Sequence, residues 1–169
     1  QERVGELTFQ FRAGEFFQNN PFILPRLVDY VIKQSFPQKS FYLIDAYCGS
    51  GLFGLSAASH FQKVIGIEIS QEGFLGAQAN AKLNKISNAE FILGDATSIF
   101  GSIDSQIQPC TLIIDPPRKG CSSEFLSQTI VFGPEFIVYI SCDPATQARD
   151  VKTLIDGEYS ILEIQPFDL

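Results

Sequence analysis

From Phe41 onward, short apolar runs alternate with stretches of helical periodicity, and this alternation restricts the possible folds more than any other feature. The runs at 41–46, 63–68, 89–93, 110–114, 136–141 and 159–165 are too short for helices and read as buried strands. Helical patterns fill 52–61, 71–84, 123–131 and 145–156, while 98–109 is polar and ambiguous. Strands separated by helices imply right-handed βαβ crossovers and a mostly parallel, doubly wound α/β sheet. Ahead of this core at 41–169, residues 1–40 form a lead-in within the same domain. Leu7, Phe9 and Phe11 alternate with polar residues as in a half-buried strand or hairpin arm. Asn20-Pro21 reads as a helix N-cap and first-turn proline. Leu24, Leu27, Val28, Val31 and Ile32 put one apolar stripe on the helix that follows.

Composition narrows the class. With 45% apolar and 18% charged residues, 169 residues suffice for one domain with a core of its own. No apolar run is long enough to span a bilayer, and no signal peptide pattern precedes the first strand. The four cysteines (Cys48, Cys110, Cys121, Cys142) lack CxxC spacing, so neither zinc, another metal nor disulfides is expected, and an intracellular compartment is. The net charge of −7 argues weakly against nucleic acid, but Arg118, Lys119 and Arg149 cluster within the motifs described next. A chain that starts at Gln1 and contains no Met is expected to be a piece of a longer product.

Two tripeptides follow predicted strands: Asp115-Pro116-Pro117 and Ser141-Cys142-Asp143. Both then fall at the carboxyl edge of one parallel sheet, where open α/β sheets bind ligands. One supplies a carboxylate on rigid backbone. The other supplies a thiol just before a helix whose N-terminus favours an anion, a combination suited to adding sulfur to a base. Adjacent Asp143 opposes that anion, and a buried inert cysteine is the ordinary alternative. His60, the only histidine, reads as a solvated helix end rather than a base.

The first crossover strand runs into Asp45-Ala46-Tyr47-Cys48-Gly49-Ser50-Gly51-Leu52-Phe53-Gly54, whose glycines satisfy GxGxxG. Alone this admits a dinucleotide. Glu68, ending the second strand, suits the ribose of either NAD or S-adenosylmethionine. Asp95, after the third, is placed to read an adenine amino group. An acid after each of these strands favours adenosylmethionine, with helix N-capping as the alternative role for both.

Taken together, the segments Gly14 to Asn20, Asp45 to Gly54, Gly66 to Ser70, Asp115 to Gly120, Ile140 to Pro144 and Gln147 to Asp150 resemble the RNA (uracil-5-)-methyltransferase family. The likeness is greatest to its fungal-type tRNA members and covers nearly the whole chain in family order. DPPRKG with SCDP is its specific signature. The resemblance implies a Rossmann-like class I S-adenosylmethionine-dependent methyltransferase fold, C-terminally truncated and without its last strand. It implies methylation of carbon 5 of the T-loop uridine at tRNA position 54, with Cys142 as nucleophile and tRNA as partner. By the same resemblance Gln18, Tyr47, Glu68, Asp95 and Asp115 fall on cofactor-contacting positions and Arg118 on a catalytic one, while Gly49 is a cofactor candidate because the glycine turn lets backbone approach a ligand closely. Arg118 then offsets enolate charge, with a structural salt bridge as its alternative. Leu52 departs from relatives that carry Asn there. The family's elimination base, a Glu, follows a segment like Gln165-Pro166-Phe167-Asp168-Leu169 and is expected beyond it, so Glu163 is not assigned that part. Another RNA, a NAD-dependent oxidoreductase on the same glycine turn, and a non-enzymatic RNA-binding module are the competing readings.

Overall fold

The computed structural model describes residues 1–11, 20, 22–36, 41–95, 100, 103 and 107–168. The expected parallel sheet is present, with strands β3 (Tyr42–Ala46), β4 (Lys63–Glu68), β5 (Ala89–Leu93), β6 (Cys110–Ile114) and β7 (Phe136–Tyr139). They lie in the order β5-β4-β3-β6-β7, every neighbouring pair parallel. An antiparallel hairpin, β1 (Glu2–Val4) and β2 (Leu7–Phe9), precedes them. The helices are α1 (Leu24–Ser35), α2 (Leu52–Ala57) with a 3-10 turn at Ala58–His60, α3 (Gln71–Leu83), α4 (Ser123–Phe132) and α5 (Pro144–Asp156).

The strands are continuous apolar runs because both sheet faces are covered. Alternate residues feed two cores: Leu43, Val64 and Ile113 pack with the hairpin, α1 and α2, including Phe9, Leu27, Val31 and Leu55. Ile44, Ile65, Leu112 and Ile114 pack on the opposite face with Phe125, Leu126 and Leu154. Of the ambiguous stretch 98–109, Ile103 and Ile107 belong to this second core.

The hairpin is fastened by two asparagines one helical turn apart on α3. Asn84 accepts from Thr8 N–H (2.9 Å) and donates to Thr8 C=O (2.8 Å). Asn80 does the same for Gln10 (2.8 and 3.1 Å) and also donates to Ser50 C=O at 3.0 Å. Side-chain amides thus occupy backbone groups that a further strand would otherwise pair.

Two expectations are corrected. The first helix starts at Leu24 rather than Pro21, with Pro25 in its first turn. Asn20 closes a separate turn, its carbonyl accepting from Ile23 and Leu24 N–H and its side chain from Phe22 N–H. Residues 159–165 form no strand. Their contacts form no ladder: Tyr159 O–H donates to Pro134 C=O at 2.9 Å and Glu163 accepts from Gln34 on α1 at 2.9 Å, while beyond them Phe167 meets Tyr30, also on α1, with ring centroids 5.4 Å apart. Without a ladder partner an alternating apolar pattern does not make a strand.

Candidate active site

Strand β3 sends the chain to β4 on one side, and the chain later returns to β6 on the other. The crevice beyond the carboxyl ends of β3 and β6 is therefore the switch point at which such sheets take ligands. Tyr47, Gly49, Glu68, Asp95, Asp115, Arg118 and Cys142 all follow or end strands at this edge. Gln18 lies outside the described residues. His60 lies at the opposite end, just before β4 begins, exposed and against the Phe36 ring at 5.0 Å.

In the glycine turn Tyr47, Gly49 and Gly51 have positive φ (63°, 53° and 88°), so the backbone coils back on itself. Glu68 holds it there, accepting from Gly49 N–H at 2.8 Å and, through its other oxygen, from Ser70 N–H at 2.7 Å. Capping of α3 falls to Ser70, whose hydroxyl accepts from Gly73 N–H at 3.2 Å. Glu68 is thus free of the capping role, and each of its oxygens keeps a lone pair for a ligand hydroxyl. Asp95 is exposed just past β5. Exposed Ile69 and Leu93 offer apolar surface beside these two acids. Sequence reasoning passed over them because an apolar residue at a strand end reads as core.

Asp45 was likewise given no part. It is buried, accepts from Gly54 N–H at 2.7 Å, and its other oxygen has no hydrogen-bond partner among the described residues. Gly54 permits this approach, since a Cβ there would lie 2.8 Å from the Asp45 carboxylate. The N–H that the sequence offers to a ligand at α2 is therefore already taken. Burial pushes the Asp45 carboxyl up to about 7, the Gly54 N–H partly offsets this, and the neighbouring Asp115 and Glu68 charges add to it. Burial likewise pushes Asp115 up to about 7. An acid within a predicted buried strand was the available signal.

Folding raises the Asp45 pKa, so its contribution is full below the unfolded value near 4 and is lost as pH rises through about 7. The ligand-free protein is expected to lose stability between pH 4 and 7, by up to about 4 kcal/mol from this group. Asp45→Asn should flatten that slope in thermal unfolding followed across pH. An unchanged slope would refute the assignment.

Three of the four thiols are buried. Burial pushes Cys110 and Cys121 up to about 12, and Cys48 well above its usual value. Cys142 is exposed. It stands between β7 and α5, and Ile140 N–H donates to Ile114 C=O at 2.8 Å, keeping its segment beside the Asp115 strand. Asp143 spends its charge on the helix: one oxygen accepts from Ala145 N–H at 2.9 Å and Thr146 N–H at 3.1 Å. These donors, Thr146 first, hold its carboxyl below the usual range. Its opposition to a neighbouring thiolate is reduced accordingly. Arg118 is exposed and makes no ion pair among the described residues, although its charge reaches Asp143.

A family model described as tRNA (Uracil-5-)-methyltransferase matches residues 3–168. The chain is 47% identical to the tRNA (uracil(54)-C(5))-methyltransferase of Schizosaccharomyces pombe, covering 100% of this chain and 34% of that protein. Its counterpart from Saccharomyces cerevisiae is 46% identical, with 99% and 28% covered. The Pyrococcus abyssi tRNA (uracil-54, C5)-methyltransferase, solved with S-adenosyl-L-homocysteine, superposes with TM-score 0.78 at 29% identity. That match covers 90% of this chain and 36% of the archaeal one. A precorrin-6y C5,15-methyltransferase from Geobacter metallireducens, 13% identical over 90% of this chain and 77% of its own with TM-score 0.72, shares the fold. The fold is thus the Rossmann-like one of class I S-adenosylmethionine-dependent methyltransferases. Within that class, the chain belongs to the tRNA (Uracil-5-)-methyltransferase family. It spans about a third of the length of the curated relatives it matches.

Proposed function

We propose that residues 1–169 are the catalytic domain of an enzyme that methylates carbon 5 of uridine in tRNA, with the T-loop uridine 54 as target. The observation that carries this reading is the exposed Cys142 thiol at the sheet edge that also bears Asp45, Glu68 and Asp115. Carbon 5 of uracil is a weak nucleophile. Addition of the Cys142 sulfur to carbon 6 moves electron density onto carbon 5 and oxygen 4, splitting one hard displacement into easier steps. Arg118 supplies positive charge toward the resulting enolate, and Asp115, with a pKa near neutrality, can hold a pyrimidine edge as donor or acceptor. Adenosylmethionine, when bound, supplies the methyl group that the activated ring accepts. Loss of the carbon 5 proton to a base then expels the Cys142 sulfur.

The described residues fit adenosylmethionine better than a dinucleotide. Asp115 and Glu68 both lie close enough to Asp45 to raise its pKa, an acidic environment that suits a sulfonium and repels a pyrophosphate. The Gly54 N–H that would meet a phosphate is bonded to Asp45. Glu68 would accept from the ribose hydroxyls, Asp95 from the adenine amino group, and Tyr47, Gly49 and Asp115 would border the remainder, joined by Gln18. The target base must leave its stack to reach Cys142. Calorimetry of the complete gene product should show binding of adenosylmethionine and not of NADH, and methyl transfer to a T-loop RNA should require uridine at position 54. Binding of NADH alone, or methylation indifferent to that uridine, would refute the proposal.

A further inference from the structure

We infer that Asp150, Arg149 and Thr146 are positioning residues that hold the Arg118 loop in register with the Cys142 turn. The inference rests on the parts just proposed for Arg118 and Cys142. The loop that follows β6, residues 115–121, has no regular ladder to hold it. Helix α5 grips it instead. Thr146 donates its hydroxyl to Arg118 C=O at 3.1 Å. Arg149 donates through Nη2 to Lys119 C=O at 2.9 Å and to Cys121 C=O at 3.4 Å. Asp150 accepts from Cys121 N–H at 2.7 Å.

The grip is closed by a buried carboxylate. Asp150 is 1% exposed: one oxygen accepts from Cys121 N–H and Tyr139 O–H (both 2.7 Å), and the other accepts from Arg149 Nε–H (2.9 Å) and pairs with the Arg149 Nη2 charge at 2.7 Å. Three donors and a guanidinium charge thus occupy both oxygens of one carboxylate. Tyr139 ends β7 and Cys121 ends the loop, so a single side chain ties helix, strand and loop together. Gly120 is the point of closest approach. Its φ is +75°, and a Cβ there would lie 2.5 Å from Asp150 Oδ2 and 2.6 Å from Arg149 Nη2.

The same helix sets the position of the thiol. Asp143, next to Cys142, caps α5, and the single Thr146 hydroxyl proton is shared between Asp143 C=O and Arg118 C=O, each 3.1 Å away. Cys142 is thus fixed to the first turn of α5, as is the backbone of Arg118, and the second turn holds Lys119 and Cys121. The ion pair is half buried, with the Arg149 side chain 57% exposed, so it contributes little net stability and serves to specify one geometry. Here the geometry specified is that of the guanidinium loop relative to the attacking sulfur.

The test uses Asp150→Asn and Thr146→Val in the complete gene product, each assayed for capture by 5-fluorouridine T-loop RNA and for adenosylmethionine affinity. Asn keeps one acceptor oxygen where Asp150 uses two, whereas Val keeps the shape of Thr and loses only its hydroxyl. Capture by folded Asp150→Asn protein is expected to slow roughly 50-fold, and by Thr146→Val roughly 5-fold, from the hydrogen bonds lost. Adenosylmethionine affinity should stay within about twofold in both, a split that general loss of folded structure would not produce. Wild-type capture rates in Thr146→Val, or in folded Asp150→Asn, would overturn the inference. So would parallel losses of capture and cofactor affinity. A wild-type protein that is not captured would instead refute the proposed function, so the two failures are separable.

Discussion

Cys142→Ala is expected to abolish covalent capture of T-loop RNA carrying 5-fluorouridine, while adenosylmethionine affinity stays within about twofold. Fluorine at carbon 5 cannot leave as a cation, so an adduct formed by sulfur addition and methyl transfer persists where the natural one would decompose. Capture therefore reports the sulfur directly. Removing a covalent nucleophile costs a rate factor on the order of 10⁴ or more, because the remaining groups act only in concert with it. None of the other cysteines can stand in: Cys48, Cys110 and Cys121 are buried, and burial raises their thiols toward the neutral form. Cofactor affinity is spared because the groups assigned to adenosylmethionine lie on β3, β4 and β5 and their following turns, with Asp115 just after β6. Capture that survives the substitution would remove Cys142 from the mechanism.

Glu68→Ala should weaken adenosylmethionine binding by about 100-fold or more. Two charge-assisted hydrogen bonds to the ribose would be lost, each contributing about 1.5–3 kcal/mol. The loss reaches further, because the same carboxylate fixes the glycine turn through Gly49 N–H and the start of α3 through Ser70 N–H. Both donors would then look to water, and the positive-φ backbone at Gly49 would lose its anchor. Glu68→Gln keeps one acceptor oxygen and should fall between the two, at roughly 10-fold. Wild-type affinity in Glu68→Ala would contradict the cofactor assignment.

The sequence revealed those parts of the fold that depend on local pattern. β3, β4 and β6 are legible because strands buried on both faces must be apolar throughout. Helices α3, α4 and α5 start within one residue of the helical patterns at 71–84, 123–131 and 145–156, and in the structure Ser70, Ser122 and Asp143 cap them. The segment at 159–165 was misread because periodicity reports a side-chain alternation and not the presence of a partner strand. The start of α1 was misplaced because a proline suits the first turn of a helix, and here it is Pro25 that occupies that turn; Pro21 lies outside the described residues.

At the site, the placement of Glu68, Asp115 and Cys142 at strand ends was legible. Their supports were not. Asp150 draws its donors from positions 29, 11 and 1 residues away, and no spacing rule joins Cys121, Tyr139 and Arg149 before the chain is folded. The same holds for Asn80, whose partners Gln10 and Ser50 are 70 and 30 residues distant. Asp45 was visible as an acid in an apolar strand, but its contact with Gly54 emerges only once α2 folds back over β3.

The most direct measurement is mass spectrometry of the protease-digested adduct between the complete gene product and 5-fluorouridine-54 T-loop RNA, formed with adenosylmethionine present. The mass of a methylated fluorouridine nucleotide on the peptide bearing Cys142 is the predicted result. The same mass on any other peptide, or an intact Cys142 peptide in captured protein, would contradict it.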